Sequence, residues 1–219
     1  MCINAEVSIT VFIISMISCG YLFNRNLVND RWIAILVGYI STMQYLEYLM
    51  WKDQECTGLN QMATEIGFWL VISQPIIAYL IAYYFTRSSA RWSDWTTYIP
   101  LGIYLVFSLP HIYAAKKPNQ CTRPCNNSKV GLYWHYTNSS NIHFIHFLDW
   151  LFFLIAITAT FLMMPKNGNI YAYINVGTYL IAAMISRYRC IGPNNISNGS
   201  WWCIMSAVIS LAAIAINRI

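Results

Sequence analysis

The sequence predicts an all-α membrane protein with seven transmembrane helices, and its composition and its apolar runs both support this. Of the 219 residues, 58% are hydrophobic and only 10% are charged, whereas soluble domains carry about 25% charged residues. Apolar runs near or above the roughly 18 residues that a spanning helix needs recur along the whole chain. Because these runs use up most of the sequence, we expect residues 1–219 to form a single seven-helix transmembrane domain.

Each predicted helix is an apolar run that ends where charged or turn-forming residues begin. Asn24–Asp30 separates the first two runs, Lys52–Gln61 the second and third, and Pro165–Asn169 the fifth and sixth. Such segments favour turns with water-exposed backbone over a helix in lipid. In order, the predicted helices are Ala5–Phe23, Arg31–Trp51, Met62–Phe85, Trp95–Ala114, Asn141–Met164, Ile170–Arg187 and Trp201–Ile216.

Several tryptophans lie close to the ends of these runs. Trp32, Trp51 and Trp95 each fall within a few residues of a predicted helix end. Tryptophan prefers the interface between lipid and water because its ring is apolar while its N–H is polar. We therefore expect these three side chains to belong to an interfacial belt.

Basic residues and glycosylation motifs predict that the N-terminus lies outside the cytosol and the C-terminus inside. With seven crossings the loops alternate between two sides, and those on the C-terminal side are shorter and more basic per residue. Four Asn-x-Ser motifs lie on the opposite, outer side. The candidate glycosylation sites are Asn126, Asn138, Asn195 and Asn198.

Four cysteines on the outer side are disulfide candidates, namely Cys56, Cys121, Cys125 and Cys190. Thiols oxidise readily outside the cytosol, which favours disulfides there. Four cysteines can pair in three ways, and their spacing does not choose among them. Free thiols and a four-cysteine zinc site that includes Cys121 and Cys125 are the alternatives.

Two acidic residues lie inside predicted helices, where a charge costs about 2.5–3.5 kcal/mol even on the most lenient insertion scale. Glu47 belongs to the second helix and Asp149 to the fifth. His143 and His146 precede Asp149 at i, i+3, i+6 spacing, which places all three on one side of the helix. Charged residues at this depth usually face the protein interior and carry function.

Two glutamines extend this pattern. Gln44 precedes Glu47 by about one helical turn, and Gln74 lies beside Pro75, where a proline kink would free a backbone carbonyl. The sequence therefore predicts an outward-opening pocket lined by Gln44, Glu47, Gln74, His146 and Asp149. The acidic residues and histidines within the predicted helices all fall in the outer half, so the inner half is expected to contain no buried charge.

Such a pocket suits several kinds of chemistry. Its residues could pass protons, bind a cation or hold a polar ligand. A metal ion suited to hydrolysis is the alternative, with the candidate ligands His143, His146, Asp149 and Glu47. No other cofactor is expected, and retinal is excluded because the last predicted helix contains no lysine. The basic residues form no cluster dense enough to bind nucleic acid.

The segment Ser41–Pro75 resembles uncharacterised seven-helix membrane proteins encoded by large DNA viruses. The residues that carry the resemblance are Met43–Trp51, Cys56, Asn60, Gln74 and Pro75. Within them, Gln44, Glu47 and Trp51 form a Gln-x-x-Glu-x-x-x-Trp element that is similar to one in bacterial membrane proteins. The resemblance implies a seven-helix fold and a viral origin, but no reaction.

These observations predict a multi-pass protein that binds a small ligand or ion for transport, conduction or sensing. A membrane-embedded hydrolase and a structural or interaction protein are the alternatives, and a role without catalysis is favoured over an enzyme. The expected partners are the lipid bilayer and the ligand or ion, with homo-oligomerisation left open. The expected location is a plasma membrane, a host endomembrane or a virion membrane.

Overall fold

The computed structural model describes residues 4–86, 94–114, 121–124, 132–133, 143–189 and 198–216. These residues form seven α-helices, which confirms the predicted all-helical architecture. The helices are α1 (Ala5–Arg25), α2 (Asp30–Lys52), α3 (Leu59–Thr86), α4 (Ile99–Ala114), α5 (His143–Leu162), α6 (Gly168–Arg189) and α7 (Asn198–Ile216). A 3-10 helix (Trp95–Tyr98) precedes α4, and a short antiparallel pair, β1 (Arg123–Pro124) and β2 (Leu132–Tyr133), lies between α4 and α5.

Polar side chains define several helix ends. The Asn4 side chain accepts a hydrogen bond from the Val7 backbone N–H at 2.9 Å and caps α1. The α3 helix begins at Leu59, three residues before the predicted start, because the Asp53 carboxylate accepts from the Asn60 N–H at 2.9 Å. Such caps satisfy backbone donors that have no partner within the helix.

The bundle is organised around α2 and α3. α2 packs against α1, α3 and α7, and α3 packs against α4 and α5. The Tyr39 and Ser73 hydroxyls lie 2.6 Å apart, and the Tyr104 hydroxyl donates to the Ile72 carbonyl at 2.9 Å. The ring of Tyr104 also contacts that of Phe153, with centroids 5.9 Å apart. We call Tyr39, Ser73, Tyr104 and Phe153 the central layer, since they join α2, α3, α4 and α5 at one height.

The contact between Tyr104 and Ile72 lies beside the proline inside α3. Pro75 has no N–H, so the Val71 carbonyl lacks its usual helical donor. The neighbouring Ile72 carbonyl is the one that accepts the Tyr104 hydroxyl. A polar side chain from another helix thus bonds to the backbone at this break, as is typical of prolines in membrane helices.

The outer surface of the bundle is apolar. Within the described residues, three helices, α1, α2 and α3, are long and apolar enough to cross a membrane. Large apolar side chains point away from the core, including Ile17 (68% exposed), Leu80 (58%) and Val106 (63%). An apolar surface of this kind is compatible with a lipid environment.

The tryptophans near the helix ends differ in how far they are buried. Trp95 is 72% exposed, which is compatible with an interfacial position. Trp32 is only 2% exposed, because its ring packs edge-on against Phe161 of α5 with centroids 5.0 Å apart. Its position near a helix end could not reveal that α5 covers it.

A buried charge that the sequence did not predict lies at the end of the bundle where α1 ends and α2 begins. Asp30 at the start of α2 is fully buried and forms a two-point ion pair with Arg25 at the end of α1. The Arg25 Nε and Nη2 atoms lie 2.7 and 2.8 Å from the two Asp30 carboxylate oxygens. Arg25 also donates to the carbonyls of Ala213 and Ile214 at the end of α7, at 3.0 Å each. A guanidinium at a helix C-terminus is favoured by the helix dipole as well as by these hydrogen bonds.

The turn between α5 and α6 requires a glycine because two backbones approach closely. A Cβ atom on Gly168 would lie 2.5 Å from the Phe161 carbonyl oxygen. Contacts this short require the backbone to move. By contrast, a Cβ on Gly177 in the same helix would meet no atom within 4 Å.

Substitution of these two glycines tests the turn. We expect Gly168→Ala to lower the free energy of unfolding by about 1–3 kcal/mol, the usual range for overpacking. Gly177→Ala is the matched control and should be neutral or stabilising by up to about 1 kcal/mol, because alanine favours helix. Thermal unfolding of the detergent-solubilised variants measures both effects. Equal effects of the two substitutions would contradict the close approach.

Arg25→Gln tests the ion pair. This change leaves the Asp30 charge buried without its counter-ion, so we expect a loss of about 3–5 kcal/mol of stability. The control is Arg31→Gln, which removes an exposed guanidinium 5.1 Å from the Phe23 ring and should cost about 1 kcal/mol or less. The double variant Arg25→Leu/Asp30→Leu should recover part of the loss. Denaturant unfolding in mixed micelles measures these differences, and a negligible effect of Arg25→Gln would refute the pair's importance.

Candidate functional site

The predicted site residues lie at different heights above and below the central layer. Along α2, Gln44 lies about 7 Å and Glu47 about 12 Å from Tyr39 toward the end of the helix, at 1.5 Å per residue. α5 runs opposite to α2, so Asp149 lies about 6 Å from Phe153 toward that same end of the bundle. Gln74 follows Ser73 directly and lies within about 2 Å of the layer.

The two residues of α2 are inside the protein. Gln44 and Glu47 are both 0% exposed. They continue the buried face of Ile33, Leu36 and Ile40, which recur at spacings of three and four residues. Neither side chain is therefore accessible to solvent in this conformation, although the sequence predicted a pocket open to the outer side.

Gln74 is buried in the middle of α3. It is 0% exposed, and neither its amide oxygen nor its amide nitrogen has a hydrogen-bond partner within the described part of the chain. An amide left this way in an apolar interior costs about 1–3 kcal/mol per unpaired group. Gln74 is thus an internal polar group with capacity to bind water or a ligand.

Asp149 is half-buried between two tyrosines. Its helix packs against both α4 and α6. Its carboxyl group interacts electrostatically with the phenols of Tyr104 on α4 and Tyr179 on α6, and both tyrosines are buried. Because Tyr104 also bonds to Ile72, the surroundings of Asp149 are connected to the Pro75 break in α3.

A further polar contact lies on the other side of the central layer. Asn175 of α6 is fully buried and its amide donates to the Thr158 hydroxyl at 3.0 Å. Thr158 lies about 7 Å past Phe153 in α5, toward the end of the bundle that contains Arg25. We call Glu47, Gln44, Asp149, Gln74 and Asn175 the polar series; together they span about 19 Å of bundle height. Asn175 is not among the residues that the sequence predicted for the site.

The structure brings the two acids to similar depths on two different helices, α2 and α5. The heights of Glu47 and Asp149 differ by about 6 Å, and α3 packs against both of their helices. The polar series is therefore distributed in height through the interior, whereas the sequence predicted one outward-opening pocket lined by Gln44, Glu47, Gln74, His146 and Asp149. The side chain of His146 lies outside the described residues.

Several predicted residues lie outside the described part of the structure. The side chains of His143 and His146, in the first two turns of α5, are among them, as are Cys125, Cys190, Asn126, Asn138 and Asn195. Asn198 is the first residue of α7. Among the described residues, no group of three or more His, Cys, Asp or Glu side chains is arranged to hold a metal ion.

A buried hydrogen-bond network at the corner between α2 and α3 was not predicted. The Asn60 side-chain amide donates to the Thr122 carbonyl through its nitrogen and accepts from the Thr122 N–H through its oxygen, at 2.9 Å for each bond. The Thr122 and Thr64 hydroxyls lie 2.9 Å apart, and the Asn60 amide also donates to the Met50 carbonyl at 3.0 Å. We call residues Cys121–Pro124 the strap. Its attachment to Asn60 could not be seen in the sequence, although Asn60 is among the residues that carry the viral resemblance.

A disulfide joins the strap to the same corner. Cys56 and Cys121 are bonded, with Cα atoms 6.1 Å apart, a normal separation for such a bond. The predicted disulfide chemistry is thus present, and one of the pairings that the sequence left open is selected. Since Cys121 is oxidised here, it cannot act as a thiolate ligand of the alternative zinc site.

Asp53 stabilises the turn between α2 and α3 through hydrogen bonds to its carboxylate. Its carboxylate accepts the Asn60 N–H, the Thr57 N–H and the Thr57 hydroxyl, each at 2.9 Å. Backbone hydrogen bonds from Asn60 and then Thr57 lower the pKa of the Asp53 carboxyl from 3.8 to about 2. These donors favour the charged form, so the folded corner selects the carboxylate.

A surface cleft lies at the opposite end of the bundle from this corner. It encloses about 370 Å³ around the turn between α5 and α6, and it is lined by residues such as Met164, Asn167 and Ile170. Asp149 lies near the other end of α5. The cleft is therefore separate from the acidic residues.

Acid titration tests the role of Asp53. Its folded pKa lies below its unfolded value, so its contribution to stability is present above about pH 4 and is lost as the pH falls toward about 2. We expect Asp53→Asn to lower the unfolding temperature at neutral pH and to flatten the loss of stability across this range. Glu55→Gln, an exposed residue in the same turn, is the control. Parallel acid-unfolding curves for wild type and Asp53→Asn would contradict this role.

The site was compared with known proteins by sequence and by fold. No protein-family model, curated protein or solved structure matches this chain. What the protein does is therefore inferred from the burial, contacts and charges of its own residues.

Proposed function

We propose that this chain is a multi-pass membrane protein whose seven helices all cross the bilayer, with the N-terminus outside and the C-terminus in the cytosol. The contact of Arg25 with Ile214 supports an odd number of crossings, because it places the ends of α1 and α7 at the same end of the bundle. Exposed apolar residues on the later helices, such as Leu180 (53%) and Leu211 (47%), suit contact with lipid.

The interior of this protein binds a small ligand or ion and moves or senses it. The observation that carries this proposal is the polar series, whose members lie inside apolar helices. Polar and ionisable residues in such positions are expensive, and they typically mark pathways for substrates, ions or protons. A purely structural bundle would be more stable with apolar residues at most of these positions.

The charges of the series favour a cation or a proton as the occupant. Glu47 and Asp149 are acidic, while Gln44, Gln74 and Asn175 offer neutral amide oxygens. Carboxylates and amide oxygens are suitable ligands for a hard cation, and a carboxylate can also take up a proton. The Asp149 carboxyl also interacts electrostatically with the buried phenols of Tyr104 and Tyr179.

The length of the series favours transport or conduction over sensing alone. The distance from Glu47 to Asn175 along the bundle is about 19 Å, which is well over half of a hydrocarbon core of about 30 Å. A pocket restricted to the outer half would not need a buried amide on the far side of the central layer. Gln74 lies near the middle and provides an intermediate polar position.

Flux measurements in liposomes test this function. We expect Glu47→Gln and Asp149→Asn each to reduce pH-driven proton or cation flux by about tenfold or more, because a neutral amide cannot balance a cation or carry a proton. Purified protein is reconstituted with a pH-sensitive dye inside the vesicles, and flux is recorded after a pH jump with different external cations.

Glu65→Gln is the matched control, because Glu65 lies in α3 near the same end of the bundle but its side chain is exposed. It should retain wild-type flux. Thermal unfolding of each variant separates loss of function from loss of fold. If both acidic residues can be neutralised without any change in flux or ion dependence while the protein stays folded, the proposed function is wrong.

A further inference from the structure

The strap lies over the end of the polar series that is nearest to the outer side. Asn60 binds Thr122 of the strap and, through the same amide, the Met50 carbonyl in the last turns of α2. Glu47 lies three residues before Met50, about 4–5 Å deeper in the bundle. Thr122 and Glu47 are both 0% exposed, so the strap is packed into the protein above a closed interior.

The strap is held by one covalent bond and a few weaker bonds. Its hydrogen bonds join Thr122 to Asn60 and Thr64. The disulfide joins Cys121 at the first residue of the strap to Cys56 in the turn beneath it, across 65 residues of chain. Each hydrogen bond can be exchanged for one with water at little net cost, whereas the disulfide is covalent, so the disulfide is the strongest single attachment of the strap.

We propose that the strap is a gate that reduction of the Cys56–Cys121 disulfide releases, which gives solvent access to Glu47. The proposal rests on the proposed function only for what then enters the interior. The sequence predicted that Gln44 and Glu47 line an outward-opening pocket, while both side chains are fully buried in the structure. A removable cover reconciles the predicted opening with the observed burial, because the strap is attached beside the last turns of α2, where such a pocket would open.

The chemistry of release is ordinary thiol–disulfide exchange with a dithiol. A thiolate of the reductant attacks one sulfur of the Cys56–Cys121 bond and forms a mixed disulfide, which expels the other cysteine as a thiolate. The second thiol of the reductant then displaces the first cysteine. Both cysteines take up a proton, and the dithiol becomes a disulfide after giving up two electrons. On the proposed topology this bond faces an oxidising compartment, which keeps the gate closed until a reductant is met.

Carboxyl labelling of the folded protein in liposomes tests the gate directly. A water-soluble carbodiimide with an amine nucleophile modifies exposed carboxylates, and mass spectrometry quantifies the modification at each acid. After treatment with dithiothreitol we expect labelling of Glu47 to rise by about tenfold or more, as a local opening would produce. The exposed Glu65 and the buried Asp30 at the far end of the bundle serve as internal references and should not change.

Cysteine variants assign the effect to this bond. In Cys56→Ser/Cys121→Ser we expect Glu47 to be labelled without reductant, and dithiothreitol should add nothing. Cys19→Ser removes a buried cysteine that is free in the structure and should keep the wild-type response. If the double variant does not fold, wild-type protein with and without reductant still decides the question.

The outcomes separate the gate from the proposed function. If Glu47 stays unlabelled in fully reduced, folded protein, the gate is refuted, whatever the flux measurements give. Labelling that rises on reduction, in a protein that shows no flux in either state, supports the gate and counts against transport. Flux that depends on Glu47 but is the same before and after reduction supports transport and refutes the gate.

Discussion

The structure depends on one constraint, which is that polar groups among apolar helices need partners inside the protein. In the apolar interior of a helical bundle, each hydroxyl, amide or charge must bond to another polar group or remain unsatisfied at a cost of about 1–3 kcal/mol. Three tertiary contacts supply such partners. Arg25 pairs with Asp30 and the end of α7, Tyr104 bonds to the backbone beside Pro75, and Asn60 pairs with Thr122.

Two of these contacts fix the two ends of the bundle, and the polar interior lies between them. The pair of Arg25 and Asp30 joins α1, α2 and α7 at one end, while the corner around Asp53 and Asn60 joins α2, α3 and the strap at the other. Between them lies the polar series, in which Gln74 is buried at the centre. The ends provide rigidity, so the interior can tolerate polar residues that do not contribute to stability. A stable frame around a less stable interior is typical of proteins that bind ligands inside.

The helices and the candidate acids could be predicted from the sequence, because both are local properties. Apolar runs of sufficient length form helices wherever they occur, and the predicted ends agree with the observed helices to within a few residues. At the early start of α3, a side chain from outside the run, that of Asp53, is responsible for the difference. The burial of Glu47 and Gln44 could likewise be expected, since they continue the apolar face of α2.

The sequence by itself determined where the helices lie and which polar residues fall within them, because hydrophobic periodicity and composition act over neighbouring residues. Only the tertiary structure decided which polar groups meet. The partners of Arg25 on α7 are 188 and 189 residues away, and Asn60 and Thr122 are 62 residues apart. It also selected the pairing of Cys56 with Cys121 and covered Trp32 with Phe161. Such pairs are set by how whole helices pack, and no local pattern in the chain encodes that packing.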